Sequence, residues 1–188
     1  MRNMQVILMA AVSADGFIAQ TATQRSTNWT SKEDKKFFVQ KSQEIGTLVM
    51  GSTTFATIGR PLPKRLNIIY TRQNRENFLT KFNLNAARTT LDVLRVTQEE
   101  PAQLLKQLAA EGIEKVLIAG GSSIYSLFMQ AELVDEIILT IEPVIFGQGI
   151  PLFSQEQFTD LDLLNSQKIN PQGTLVNTYK IRKLENES

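Results

Sequence analysis

The chain has 188 residues, 20 basic and 19 acidic side chains, a net charge of +1, and neither cysteine nor histidine. That balance gives no whole-molecule field for nucleic acid or an anionic membrane, so neither is an expected partner. The two missing residue types exclude disulfides, thiolate and Ser-His nucleophiles and the common zinc sites, and no metal site is expected. Chemistry therefore falls to carboxylates, hydroxyls, backbone amides or a bound organic cofactor. The simplest organisation is one domain over residues 1–188, long enough to bury a core.

The first apolar run, Val6–Val12, is too short to cross a membrane. The turn signal Ser13-Ala14-Asp15-Gly16 behind it belongs inside a fold, so a soluble cytoplasmic protein is expected. Ser31-x-x-Asp34 is a capping-box pattern that opens a helix over Ser31–Gln43. Thr47–Met50 is a buried strand that stops at Gly51, and Ser52-Thr53-Thr54 opens a short helix. The turn Gly59-Arg60-Pro61-Leu62-Pro63 then delivers Lys64-Arg65 to a strand, Leu66–Tyr70, that ends in Thr71-Arg72. Residues Gln73–Thr90, with Phe78, Leu79, Phe82 and Leu84, read as a small packed excursion.

Thr97-Gln98-Glu99-Glu100-Pro101 reads as a second helix start. That helix carries Leu104, Leu105 and Leu108 on one face and stops at Gly112. Val116–Ala119 is a strand, Ser122–Ala131 a helix with Ile124, Leu127 and Phe128 inward, and Glu136–Ile141 a further strand. Asp162–Ile169, the turn Asn170-Pro171-Gln172-Gly173 and Thr174–Arg182 form an antiparallel hairpin, followed by the polar tail Leu184–Ser188. Strands this uniformly apolar are covered on both faces. The expected fold class is α/β: a single domain with a central mixed, mostly parallel sheet flanked by helices, and an antiparallel C-terminal hairpin.

Three segments carry candidate chemistry. From Met50 to Arg72 the order strand, glycine, hydroxyls, fixed cations builds an anion-binding edge above a sheet; an ordinary α/β connection with surface basics is the other reading. Asp34, Phe38 and Ser42 share one helix face. An inward Asp34 has a raised proton affinity and can hold a proton for a ligand. In a solvated first turn it would only complement the helix dipole. Ala119-Gly120-Gly121-Ser122-Ser123 follows a buried strand and lets backbone amides approach a pyrophosphate, or is simply a tight strand-to-helix turn.

Together these segments resemble the dihydrofolate reductase family. Residues Ala10 to Ala19 are similar to its first strand and following loop. Trp29, Asp34, Phe38 and Ser42 fall on its W-x4-[DE]-x3-F-x3-[ST] pattern, and Val49-Met50-Gly51 through Thr54-Phe55 on V-M-G-R-x-T-[WF]. Gly59 to Ile68 follows G-R-P-L-P-x-R-x-N-I, Gly120 to Tyr125 resembles its second cofactor loop, and Thr140 stands where it has a buried threonine. The chain departs from the pattern at Ala19, at Asn28 and at Ser52, where the family has a basic residue; Arg72 is the substitute cation. Residues Ser13–Ala19 and Glu142–Phe153 look more like the related pyrimidine reductases of riboflavin biosynthesis.

The resemblance implies an NADPH-dependent oxidoreductase that reduces 7,8-dihydrofolate to tetrahydrofolate, as a monomer or homodimer. In the family's manner Asp34 is the catalytic residue and the only ionisable group of the pocket. Met9, Ala11, Phe38, Ile58, Leu62, Arg65 and Thr140 contact substrate, with Arg65 on its carboxylate. Ala11, Ile18, Gly51, Ser52, Thr53, Thr54, Thr71, Arg72, Gly120, Gly121, Ser122, Ser123, Ile124 and Tyr125 hold NADPH. Reduction of the riboflavin-pathway aminopyrimidine ribosyl phosphate, with Arg65 or Lys64 on the phosphate, ranks second. Such an enzyme should carry an Asp-rich segment before the basic turn, where this chain reads Ala56-Thr57-Ile58-Gly59. A non-catalytic nucleotide-binding module ranks third.

Overall fold

The computed structural model describes residues 4–87 and 89–182; the polar tail lies outside the described residues. In chain order the strands are β1 (Gln5–Ser13), β2 (Phe17–Ala19), β3 (Thr47–Gly51), β4 (Leu66–Tyr70), β5 (Leu94–Thr97), β6 (Lys115–Ile118), β7 (Glu136–Glu142), β8 (Ile150–Pro151), β9 (Leu161–Lys168) and β10 (Leu175–Ile181). The helices are α1 (Lys32–Ile45), α2 (Ser52–Ile58), α3 (Arg75–Lys81), α4 (Pro101–Ala110) and α5 (Ser122–Gln130). Eight strands form one sheet in the order β5-β4-β3-β6-β1-β7-β10-β9. From β5 to β7 every pairing is parallel, and β10 and β9 complete the edge antiparallel. No helix among the described residues is long and apolar enough to cross a membrane.

Period-two alternation explains the continuous apolar runs. In β1, Val6, Leu8 and Ala10 enter one core with Leu104, Leu105 and Leu108 of α4 and Ile124, Phe128 and Met129 of α5. Ile7 and Met9 enter a second core on the opposite face, with Phe55 of α2, Phe78 and Leu79 of α3, and the partly buried Phe37 and Phe38 of α1. Both faces are thus covered, as a parallel sheet requires.

The structure adds elements that the sequence reading lacks. Thr97 ends a strand instead of starting a helix: β5 pairs in parallel with β4, and Pro101 is the first residue of α4. Thr97 Oγ1 does accept the Glu99 N–H at 3.1 Å, so its cap-like chemistry closes a turn. The excursion at Gln73–Thr90 contains α3, capped by Asn74, whose side chain accepts the Asn77 N–H at 2.9 Å. A small two-stranded ribbon, β2 with β8, lies beside the main sheet. Gly149 permits that approach, since a Cβ there would collide with the carbonyl oxygen of Ala19.

Phe55, Phe78 and Phe82 form a ring cluster with centroids 4.7–5.0 Å apart, which anchors the excursion to the sheet. Phe78 is fully buried. Phe78→Ala is expected to lower the free energy of unfolding by roughly 3–5 kcal/mol in urea titrations. A loss below about 1 kcal/mol would show that α3 is a detachable flap.

Candidate active site

The strand order reverses around β1, which lies between β6 and β7 although it comes first in the chain. Crevices form outside the carboxyl ends of parallel strands at such a point. Two glycine turns meet there. The Gly51 N–H donates to the carbonyl of Gly120 at 2.8 Å, and Ala119 N–H to that of Val49 at 2.8 Å, so the starts of α2 and α5 lie side by side. A Cβ on Gly121 would come within 3.1 Å of Thr54 Oγ1, and Gly120, at φ +123°, lies in the region that glycine tolerates. The peptide joining them is cis. Ser122 Oγ is buried there without a hydrogen-bond partner. Gly51, Ser52, Thr53, Thr54, Gly120, Gly121, Ser122 and Ser123 are therefore gathered at one edge.

Ile124 and Tyr125 support this edge from behind. Ile124 Cγ1 packs against Gly51, and the buried Tyr125 hydroxyl donates to the Met9 carbonyl at 2.7 Å. Thr71 and the exposed Arg72 follow β4 at the same end of the sheet, and Ile18 lies on β2 against the α4–α5 core.

The second half of the site is built by α1. Ser31 is its N-cap, with Oγ accepting the Asp34 N–H at 3.1 Å. In a complete capping box the carboxylate at Asp34 would accept the Ser31 N–H in return. Here that N–H donates to Glu142 Oε1 at 2.7 Å, 111 residues away, and the Asp34 carboxyl is left free to point inward. Asp34 is 7 % exposed. Burial pushes its pKa up; the hydroxyls of Thr140 and Thr30 oppose this, the nearby charge of Glu142 reinforces it, and Lys35 opposes it weakly. Neither hydroxyl makes a well-formed hydrogen bond, so desolvation dominates. Thr140 is fully buried and pairs in register with Ala11 of β1.

Eight residues along α1, or roughly 12 Å of helical rise, Ser42 meets the other end of the site. Its hydroxyl donates to the Phe38 carbonyl and accepts from Arg65 Nη1. Asn67, fully buried, fixes the turn that carries Arg65: its Oδ1 accepts the Leu62 N–H at 2.9 Å and its Nδ2 donates to the Arg65 carbonyl at 2.9 Å. Arg65 is 6 % exposed and Nε donates to the Pro63 carbonyl at 3.0 Å. Burial lowers its pKa, and no carboxylate pairs with it among the described residues. It borders an open depression of about 720 Å³ that Leu62, Lys64 and Asp92 also line. Met9, Phe38, Ile58 and Leu62 share the apolar cluster between Asp34 and Arg65, Met9 within it and the others partly buried.

Asp34 is not the only ionisable group here. Glu142, 3 % exposed, lies close enough for its charge to raise the Asp34 pKa, and Tyr125 is a buried hydroxyl whose pKa burial and the Asp34 charge push up. The sequence signal for Glu142 was its place two residues after Thr140, on the same face of β7. Asp15 also escaped notice: its carboxylate accepts from Ser13 Oγ at 2.6 Å and from the Gly147 N–H at 2.7 Å, joining the loops after β1 and β7. Trp29 packs edge-on against Phe146 of the latter loop, with ring centroids 5.0 Å apart.

The fold is that of the dihydrofolate reductase-like α/β proteins. The model of the RibD C-terminal domain family matches residues 4–175, and the chain belongs to that family. It is 25 % identical to the Bacillus subtilis protein YwjB over 173 residues, 90 % of each chain. It is 30 % identical to dihydrofolate reductase of Aedes albopictus over 142 residues, 71 % of this chain and 70 % of that one. A pyrimidine reductase-like protein from Corynebacterium diphtheriae superposes with a TM-score of 0.72 at 18 % identity, covering 97 % of this chain and 93 % of the other.

The raised pKa of Asp34 carries a stability consequence of definite sign. The folded state holds the proton to higher pH than the unfolded chain, so this group makes stability fall as pH rises from its ordinary value of 3.8 through the raised one. Asp34→Asn is expected to be more stable than wild type at neutral pH, with the gap closing as pH drops below about 3.8. Urea unfolding across that range checks it; a gap independent of pH would show that burial does not perturb Asp34.

Proposed function

We propose that the chain is an NADPH-dependent reductase that delivers hydride to a nitrogen-bonded carbon of a small heterocyclic substrate bearing an anionic tail. One observation carries this reading: a buried carboxyl at the switch point lies in line, along one face of α1, with a buried arginine that has no carboxylate partner among the described residues. The paired glycine turns and the unpartnered Ser122 hydroxyl fit a dinucleotide, held by Gly51–Thr54 and Gly120–Ser123 with Thr71 and Arg72 at the end of β4. NADPH supplies the hydride when bound. Asp34 holds or relays the proton that the reduced nitrogen needs, and Thr30 and Thr140 offer it and the heterocycle hydrogen bonds. Arg65 receives the tail through a guanidinium that Ser42 and Pro63 orient.

The substrate placed first is the riboflavin-pathway aminopyrimidine ribosyl phosphate, because the family match spans nearly the whole chain. Dihydrofolate, ranked first on sequence, moves to second. It is favoured by the line Asp34, Phe38, Ser42, Arg65 and by the likeness to the Aedes albopictus enzyme. In dihydrofolate a ring C=N bond gains hydride at carbon and a proton at nitrogen. In the ribosyl phosphate the sugar ring first opens, its C–O bond breaking as the amine proton passes to the ring oxygen. The C=N bond so formed at the ribose carbon gains hydride and a proton in the same way, so the same residues serve either.

Loss of NADPH absorbance with each substrate in parallel separates these readings; turnover with neither would leave only a binding module. With the active substrate, Asp34→Asn is expected to slow turnover by about 10²–10⁴-fold while NADPH affinity stays close to wild type. Arg65→Lys is expected to weaken binding by roughly one to two decades, the worth of a charge-assisted pair. A substrate fragment without its anion should be indifferent to that change. Equal losses for both would place Arg65 outside the site.

A further inference from the structure

A second buried carboxylate stands beside Asp34 without a basic partner among the described residues, and its hydrogen bonds are directional. Glu142 Oε1 accepts the Ser31 N–H at 2.7 Å, a bond in which the backbone can only donate. Its Oε2 meets Thr174 Oγ1 at 2.6 Å. That hydroxyl donates to Glu142 and accepts from Asn170 Nδ2 at 2.7 Å. Asn170 is in turn held by the hairpin turn, where its Oδ1 accepts the Gly173 and Thr174 N–H groups at 3.0 Å each. Both Glu142 oxygens therefore accept, as a carboxylate's do. Asp34 has weaker support: the hydroxyls of Thr140 and Thr30 lie near enough to favour its charge, but neither makes a well-formed bond among the described residues.

We propose that Glu142 is the positioning residue that leaves Asp34 as the titrating carboxyl of the site: it accepts the N-cap hydrogen bond in Asp34's place and holds a fixed negative charge beside it. A negative charge on Glu142 beside Asp34 disfavours the charged form of Asp34 and adds to the effect of its burial. The other charged or titratable groups facing Asp34 are Lys35, next to it on α1, and the Tyr125 hydroxyl from α5. The inference rests on the reading of Asp34 as the proton-holding group, but its test reads proton affinity and not turnover.

Carbon-13 carboxyl NMR of the full chain, with the Asp34 resonance identified by its loss in Asp34→Asn, gives the titration midpoint directly. In Glu142→Gln, which keeps an acceptor for Ser31 and removes the charge, the midpoint is expected to fall by about one pH unit, a tenfold drop in proton affinity. A purely structural Glu142 would lower thermal stability and leave the midpoint in place, and that result would overturn the proposal. If Glu142→Gln does not fold, Thr174→Val carries the test by removing one donor from Glu142. A changed Asp34 midpoint in that variant would support the assignment, and an unaltered midpoint would overturn it. Ordinary turnover by Asp34→Asn would sink the proposed function and leave this comparison intact.

Discussion

The placement of β1 between β6 and β7 is the constraint on which the rest of the structure depends. A first strand inserted among later ones makes the chain depart in both directions from one point, and the loops there cannot fill the gap between them. The register β1 shares with β7 sets Ala11 beside Thr140 and Ser13 beside Glu142. On the other side, the short pairing of β3 with β6 brings Gly51 against Gly120. Helix starts, small residues and inward polar groups thus converge because of strand order, and side-chain chemistry refines what topology has already assembled.

Polar burial marks the same place. Parallel strands covered on two faces should carry only apolar side chains in their interior, yet β7 carries Thr140 and Glu142 on the face toward α1. Glu142 is fully bonded and Thr140 is not. A buried hydroxyl without a partner costs stability, and it persists where a ligand can complete it. The desolvated Asp34 adds to the same local penalty, which is the usual trade between stability and a working site. Arg65 repeats the pattern at the far end of α1: a desolvated cation whose partners among the described residues are neutral oxygens.

Much of this was legible in the sequence where the signal is local. Apolar runs located β1, β3, β4, β6 and β7 to within a residue or two, because burial on both faces removes polar punctuation. The shared face of Asp34, Phe38 and Ser42 followed from four-residue spacing, and the Ser31 cap from its pattern. β5 was missed because Leu94-Arg95-Val96-Thr97 is a short edge strand that alternates with polar residues and runs into a cap-like threonine. α3, seven residues long, is too short to show a helical period. Glu142 was illegible as a site residue for another reason. An acid ending a strand reads as solvated, and only the fold shows that its partner is the N-cap of α1. The same contact brings a second carboxylate close to Asp34, which the sequence reading expects to be the only ionisable side chain of the pocket.

The RibD C-terminal family match and the dihydrofolate reductase-like line from Asp34 to Arg65 draw the substrate in different directions. Both proposed substrates would sit at the same place, the switch point of the sheet. Amide hydrogen exchange of the whole chain, with and without NADPH and then with each substrate, tests that placement most directly. NADPH is expected to protect the amides of residues 51–54 and 120–124 together, and the active substrate to add protection over residues 31–42 and 62–66. Protection confined to one glycine turn, or appearing only at the β9 edge, would contradict a site built at the switch point of the sheet.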